Sequence, residues 1–354
     1  ATRTINNMLK FIQEKRKAII YLLVAAALVT LLSGTYKAAI GFLLVFGVPL
    51  YFMSKMPDYA TTGERFTRYM FLVISSSILV FLITPVIIII PLSFNAEPYF
   101  TFTEGMLNLD PDAFSTRWYM DILHNGMAAP QAVEGWWADM WENAQWVRAA
   151  RNSFFIATVS TIIATSLGTL AALGLSRPEM PYRALITSLL ISPMIVPLVI
   201  TATGMFFFYS QVGLAKTYWG VILAHVTLGV PFVIITVTAT LSGFDMSLVR
   251  AAQNMGANGW TTFRRIIMPL ILPGMISGAL FAFITSLDEV VAVLFIADVE
   301  QRTIPRQMFS GIREQISPTI LSVASILVLM SVILLTVLEL LRRRSERLRG
   351  MSPG

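Results

Sequence analysis

Apolar residues in this chain are gathered into long runs bounded by charged or turn residues. The runs lie at about 18–33, 38–53, 70–92, 152–175, 184–209, 217–241, 270–294 and 318–341. Several reach the roughly 20 residues a helix needs to cross a bilayer core, so the pattern predicts about eight transmembrane helices. The first two are short and separated only by Ser33-Gly34-Thr35-Tyr36-Lys37, which predicts a helical hairpin. A cleavable signal peptide is the rival reading of the first run, because Lys15-Arg16-Lys17 precedes an apolar stretch containing small residues.

Composition agrees with the pattern. Of 354 residues, 56% are hydrophobic and only 13% charged, with a mean hydropathy of +0.71, whereas a soluble domain carries about 25% charged residues. The fold class expected is an all-α membrane protein. The absence of cysteine excludes disulfides, thiolate metal sites and cysteine nucleophiles, and the two histidines, His124 and His225, lie far apart in sequence.

The net charge of +6 invites a nucleic-acid reading until the charges are placed on the two membrane faces. With a cytoplasmic amino terminus, an even number of spans returns the carboxyl terminus to the cytoplasm. The cytoplasmic segments then hold 18 of the 26 basic residues, and the other face holds 13 of the 20 acidic ones. That asymmetry is the positive-inside signature, so the basic balance reads as topology, with lipid rather than nucleic acid as the partner. The longest polar connection, 93–151, is external in this arrangement. It is suited either to receiving a soluble partner or to capping the bundle, with Trp136, Trp137, Trp141 and Trp146 at the membrane interface.

The most informative stretch is cytoplasmic: Arg250-Ala251-Ala252-Gln253-Asn254-Met255-Gly256, followed by Ile266-Ile267-Met268-Pro269. A short helix, a glycine free to take positive φ, a second short helix and a proline stop predict a compact helix-turn-helix between two spans. Small Ala251 and Ala252 permit close approach, Trp260 and Phe263 offer apolar anchors, and Arg250, Arg264 and Arg265 can meet acidic residues. The alternative is an amphipathic loop with its basic residues at lipid headgroups. The stretch resembles the EAA loop of the permeases of ABC importers: Ala251, Ala252, Gly256, Ile266 and Pro269 match in type and spacing. Arg250 stands where the pattern has an acidic residue, and Met268 where it has leucine.

The resemblance extends over about 70–341 to spermidine/putrescine importer permeases. It is carried by Pro91-Leu92-Ser93-Phe94-Asn95, Asn152-Ser153-Phe154-Phe155, Ser192-Pro193-Met194-Ile195-Val196-Pro197, Ala224-His225 with Pro231-Phe232, and Phe283-Ile284-Thr285-Ser286-Leu287-Asp288-Glu289-Val290. It implies the type I ABC importer permease fold with six spans, here preceded by two extra ones. It further implies that 245–269 is a coupling helix, with Arg250, Ala251, Ala252, Gly256, Trp260, Ile266 and Pro269 meeting an ATP-binding subunit dimer. The other partners implied are a second permease subunit, in a heterodimer in polyamine-type systems, and a periplasmic solute-binding protein. The domain division expected is an amino-terminal segment with the extra hairpin at 1–69, a first family span at 70–92, the loop at 93–151, the core at 152–341 and a basic tail at 342–354.

Asp288 and Glu289 form an ionisable pair in an apolar run. Such groups usually face a bundle interior or an aqueous cavity, where they would attract a cationic amine; the alternative is an ion pair or a helix-end hydrogen bond. Pro193 and Pro197 are expected to kink the span at 184–209, which makes a gating helix one reading and a structural kink the other. His225 is expected to be packed or hydrogen-bonded. No Gly-x-x-x-x-Gly-Lys-Ser/Thr loop exists, and none of the six lysines follows a glycine, so ATP and Mg are expected on a partner ATPase and no cofactor on this chain. A stand-alone secondary transporter or channel is the alternative, and a structural or receptor subunit the third.

Overall fold

The computed structural model describes residues 41, 43–53, 61–177, 179–245, 247–314 and 317–348, and among these the chain is helical, with one isolated bridge between Asn95 and Phe114. It divides into two compact units, Ala1–Pro91 and Leu92–Gly354.

In the first unit a π-helical turn, Leu43–Gly47, leads into α1 (Val48–Met53), and α2 (Thr62–Leu92) follows. The expected run at 18–33 lies outside the described residues. Helix α2 starts earlier than the apolar run because Thr61 and Glu64 form a capping box: the Thr61 amide donates to Glu64 Oε2 at 2.8 Å and the Glu64 amide to Thr61 Oγ1 at 3.3 Å.

The second unit begins with short elements: α3 (Glu104–Leu107), a 3₁₀ turn (Pro111–Ala113), α4 (Arg117–His124) and α5 (Trp136–Asn143). Then come α6 (Gln145–Leu175), α7 (Arg183–Ile195), α8 (Leu198–Gln211), α9 (Tyr218–Ser242), α10 (Ser247–Asn254), α11 (Gly259–Thr262), a π turn (Phe263–Ile267), α12 (Met268–Asp288), α13 (Val291–Ile296), α14 (Ile304–Glu314) and α15 (Thr319–Leu348). Among the described residues, five helices are long and apolar enough to cross a membrane, and α7 with α8 makes a sixth if the bent pair counts as one span.

The core is α9 held between α6 and α12. Lipid supplies little hydrophobic drive between helices, so close packing of small residues has to do it. On α6, Ser153, Ala157, Ser160, Ala164, Gly168 and Ala172 recur at three- or four-residue intervals and form one buried stripe. Gly229 of α9 sits at the junction: a Cβ there would lie 3.1 Å from Ala282 Cβ and 3.3 Å from Ala164 Cβ. Contacts of Asn152 with Tyr218 and of Gly168 with Val233 make α6 parallel to α9. Those of His225 with Ser286 and of Thr236 with Gly278 make α12 antiparallel to it.

Two expected spans are broken, and each break has a local cause. The run at 184–209 is two helices meeting at 103°. Pro197 lacks an amide hydrogen and drives Val196 into extended backbone (φ −71°, ψ 135°). Pro193 stays inside α7, and the Ser192 hydroxyl donates to Leu189 O at 2.7 Å, occupying the carbonyl that the proline leaves without its helical donor. The bend therefore belongs to Pro197. The run at 270–294 ends at Asp288, because Glu289 turns extended (φ −73°, ψ 123°) and its Oε1 accepts the Ala292 amide at 2.9 Å, starting α13.

Candidate functional site

At the Ser242 end of the core, residues 245–267 fold locally. Asp245 accepts the Ser247 amide at 2.8 Å and the Ser247 hydroxyl at 2.6 Å, capping α10. These two bonds, helped by the nearby Arg250 charge, hold the Asp245 carboxyl below its ordinary value of 3.8. At the other end of α10, Ala257 N–H donates to Ala252 O and Gly256 N–H to Gln253 O, with Gly256 at φ +82°. That is a Schellman closure, and it is why a glycine is needed there. Asn258 Oδ1 then accepts the Thr261 amide at 2.8 Å and starts α11.

Pro269, expected as a stop, is not one. It lies in the first turn of α12, and 259–288 runs on as one apolar helical course. The adjustment is the π turn, in which Met268 N–H reaches back to Phe263 O, giving the proline ring room within a continuous helix.

The loop presents a mixed surface. Ala252 and Thr262 are buried, while Arg250, Ala251, Arg264, Arg265 and Pro269 are exposed and Ile266 is half-buried. Met255 and Trp260 are 82% and 67% exposed, and the Trp260 ring lies 5.8 Å from that of Phe263. Exposed apolar anchors on a loop that also carries three exposed guanidinium groups have the composition of a protein-docking patch.

At the Tyr218 end the chain is tied over long sequence distances. Asn152 Nδ2 donates to Glu300 O at 2.7 Å and Arg302 O at 3.0 Å, and Tyr218 Oη donates to Asn152 Oδ1 and Glu300 O, both at 3.0 Å. Ser153 Oγ accepts the Ile304 amide at 2.8 Å. Lys216 N–H donates to Ile296 O at 2.8 Å, and Lys216 Nζ lies 3.5 Å from Asp298. The Val299 amide, then the Lys216 charge, hold the Asp298 carboxyl below its usual range. Residues 93–124 join the same end: Asn95 is fully buried and donates to Tyr99 O and Thr101 O, and Ser322 donates to Ser93 O. In the sequence Asn152 and Ser153 stand only within a family-like string, and no local pattern reveals that their partners lie about 150 residues away.

The ionisable pair separates. Asp288 is exposed, while Glu289 is 8% exposed with its carboxylate on the first turn of α13. Helix α13 packs against α8, the arm of the bent pair that begins after Pro197. His225 is buried, its Nδ1 2.6 Å from Ser286 Oγ, the hydrogen-bonded placement expected of it.

Residues 164–349 match the family described as binding-protein-dependent transport system inner membrane component. The chain is 29% identical over 266 residues to the spermidine/putrescine transport system permease protein PotC of Haemophilus influenzae, covering 75% of this chain and 93% of that one. It is 27% identical over 268 residues to PotC of Escherichia coli K12, covering 76% and 92%. The putrescine transport system permease protein PotI of the same strain is 28% identical over 261 residues, covering 70% and 81%. A crystal structure of a bacterial ABC transporter involved in import of the acidic polysaccharide alginate superposes with a TM-score of 0.58 at 15% identity, covering 80% of this chain and 99% of that one, which shows the fold. With several membrane-crossing helices in that fold, this chain is a multi-pass inner membrane protein of the binding-protein-dependent transport system family, an ABC importer permease similar to the spermidine/putrescine permeases.

Proposed function

We propose that this chain is the smaller permease of a polyamine importer, moving putrescine or a related amine inward on ATP hydrolysis by a separate subunit. The observation that carries the reading is the locally folded 245–267 loop, with Met255 and Trp260 exposed beside Arg250, Arg264 and Arg265 at the end of α9 and α12. The two core helices enter and leave this loop directly, so a partner that displaces it tilts both. The names of the permease relatives support the amine cargo, and the positive-inside asymmetry supports cytoplasmic termini with 93–151 in the periplasm, facing the solute-binding protein.

Residues 152–341 serve as the transport core, and ATP and Mg reside on the ATPase dimer that pairs with this chain and a second permease. Arg250 in place of an acidic residue calls for an acidic or carbonyl acceptor on the ATPase groove. Pro197 gives the bent α7–α8 pair its hinge, and exposed Asp288 supplies negative charge that lowers the barrier to a cation.

The test is reconstitution of the assembled complex in liposomes, with ATP hydrolysis and labelled putrescine uptake measured with and without the binding protein. The expected outcome is binding-protein-stimulated hydrolysis with ATP-dependent uptake. Stimulated hydrolysis without putrescine uptake overturns the substrate, and uptake by this chain alone overturns the importer.

A further inference from the structure

Beside the first turns of α6 lies a small cavity of about 80 Å³, lined by Gln145, Arg148, Ala149, Val299, Arg302 and Gln307. Its polar groups are ordered by a short relay. An arginine only donates, so Gln307 must turn its Oε1 to Arg302 Nη1, at 2.9 Å. That places Gln307 Nε2 against Gln145 Oε1, at 3.2 Å. Both amide oxygens are thereby engaged, and the unspent groups around the cavity are donors: the Gln145 amide nitrogen, the Arg148 guanidinium and the Nε–H of Arg302.

That Nε–H is shielded from solvent and has no hydrogen-bond partner. An unmet donor on a charged group is costlier than an unmet hydroxyl such as that of neighbouring Thr303, which makes it the feature of this end that calls for a ligand. No carboxylate lines the cavity, and among the described residues neither Arg148 nor Arg302 has one within ion-pair distance. Positive charge accumulates further because Arg306 lies close by: burial first, then the Arg302 charge, lowers the Arg306 pKa, against the pull of Asp298. The amino-terminal end of 31-residue α6 adds its own positive potential.

We propose that this cavity is a binding site for one small monoanion, a halide or an acetate-sized carboxylate, held by Arg148, Arg302 and the Gln145 amide. Its volume is that of about two or three waters, which admits such an ion. Two guanidinium groups and no carboxylate in the lining repel the cationic amine cargo, so the site is separate from the transport pathway. The bound anion completes Arg302, offsets the Arg302–Arg306 repulsion and pins 299–307 onto the start of α6, next to the Asn152 anchor.

The test uses the full-length chain in detergent, with thermal unfolding followed at constant ionic strength while sodium gluconate, whose anion is too large for the cavity, is replaced by sodium chloride or sodium acetate. Chloride is expected to raise the melting temperature saturably. Acetate doing the same at the same site identifies the carboxylate form, and chloride alone the halide form. Arg148→Gln is expected to weaken the apparent affinity roughly tenfold or more, the loss of one charge-assisted contact. Arg302→Gln should do likewise; if that variant does not fold, Arg148→Gln decides. Crystals soaked in bromide should show anomalous density between Arg148, Arg302 and Gln145. Equal stability in gluconate and chloride, an unchanged chloride response in Arg148→Gln, or bromide density only elsewhere overturns the site.

Discussion

The two ends of the α6–α9–α12 core are held in opposite ways. At the Tyr218 end, segments about 150 residues apart share hydrogen bonds through buried Asn152 and Ser153. At the Ser242 end, Asp245, Asn258 and the Gly256 closure bond only within their own turns. Long-range bonds fix a surface by making every segment depend on another, whereas local caps preserve a shape that can move as a unit. The difference marks one end as an anchor and the other as a presented handle, joined by helices packed tightly enough to transmit displacement.

The largest expected effect breaks the connection between the two ends. In Gly278→Val, a Cβ would lie 2.8 Å from Val233 Cα and 2.5 Å from Thr236 Oγ1, on the α9–α12 contact. Overpacking of this kind costs about 1–3 kcal/mol or more, and size-exclusion and thermal unfolding should show a destabilised protein. Asn152→Ala should cost about 1–3 kcal/mol, since the Arg302 carbonyl loses its side-chain donor and the Glu300 carbonyl and Tyr218 hydroxyl keep only each other; faster hydrogen exchange should be confined to 298–304.

Trp260→Ala should leave stability within about 0.5 kcal/mol, because the ring is exposed. In the assembled complex it should cut binding-protein-stimulated ATP hydrolysis roughly tenfold or more, the loss expected of an aromatic anchor. Equal damage to stability by Trp260→Ala and Asn152→Ala would erase the distinction between handle and anchor.

The smallest effect is on pH. The folded Asp245 carboxyl titrates below its ordinary 3.8, so its capping contribution is complete above that value and is lost as pH falls through the lower folded value. Hydrogen exchange at the Ser247 amide should therefore accelerate below about pH 4, and Asp245→Asn should remove that dependence.

Much of the handle was legible in sequence because its determinants are local, as with Gly256 closing α10 between two short helices; the kink of the 184–209 span was legible for the same reason, although Pro193 and Pro197 look alike there. Long apolar runs marked α6, α9 and α15 for the same reason. Hydropathy did not show where an apolar course breaks. Glu289 ends α12 through one side-chain bond to Ala292, and no run of hydrophobic residues records that. Pro269 misled in the other direction, since a π turn carries the helix through it. The anchor was the least legible part, because Asn152 finds Glu300 and Arg302 only after folding.

The proposed coupling role requires the ATP-binding subunit to engage the 245–267 loop. The chain has no cysteine, so single cysteines report cleanly. In the assembled complex, a short bifunctional cross-linker should join Met255→Cys, at an 82% exposed site on the loop, to the ATP-binding subunit. It should not join Val133→Cys, at a 95% exposed site in 93–151, to that subunit. An adduct from Met255→Cys alone is the predicted result; no ATPase adduct from the loop, or equal adducts from both positions, would contradict it.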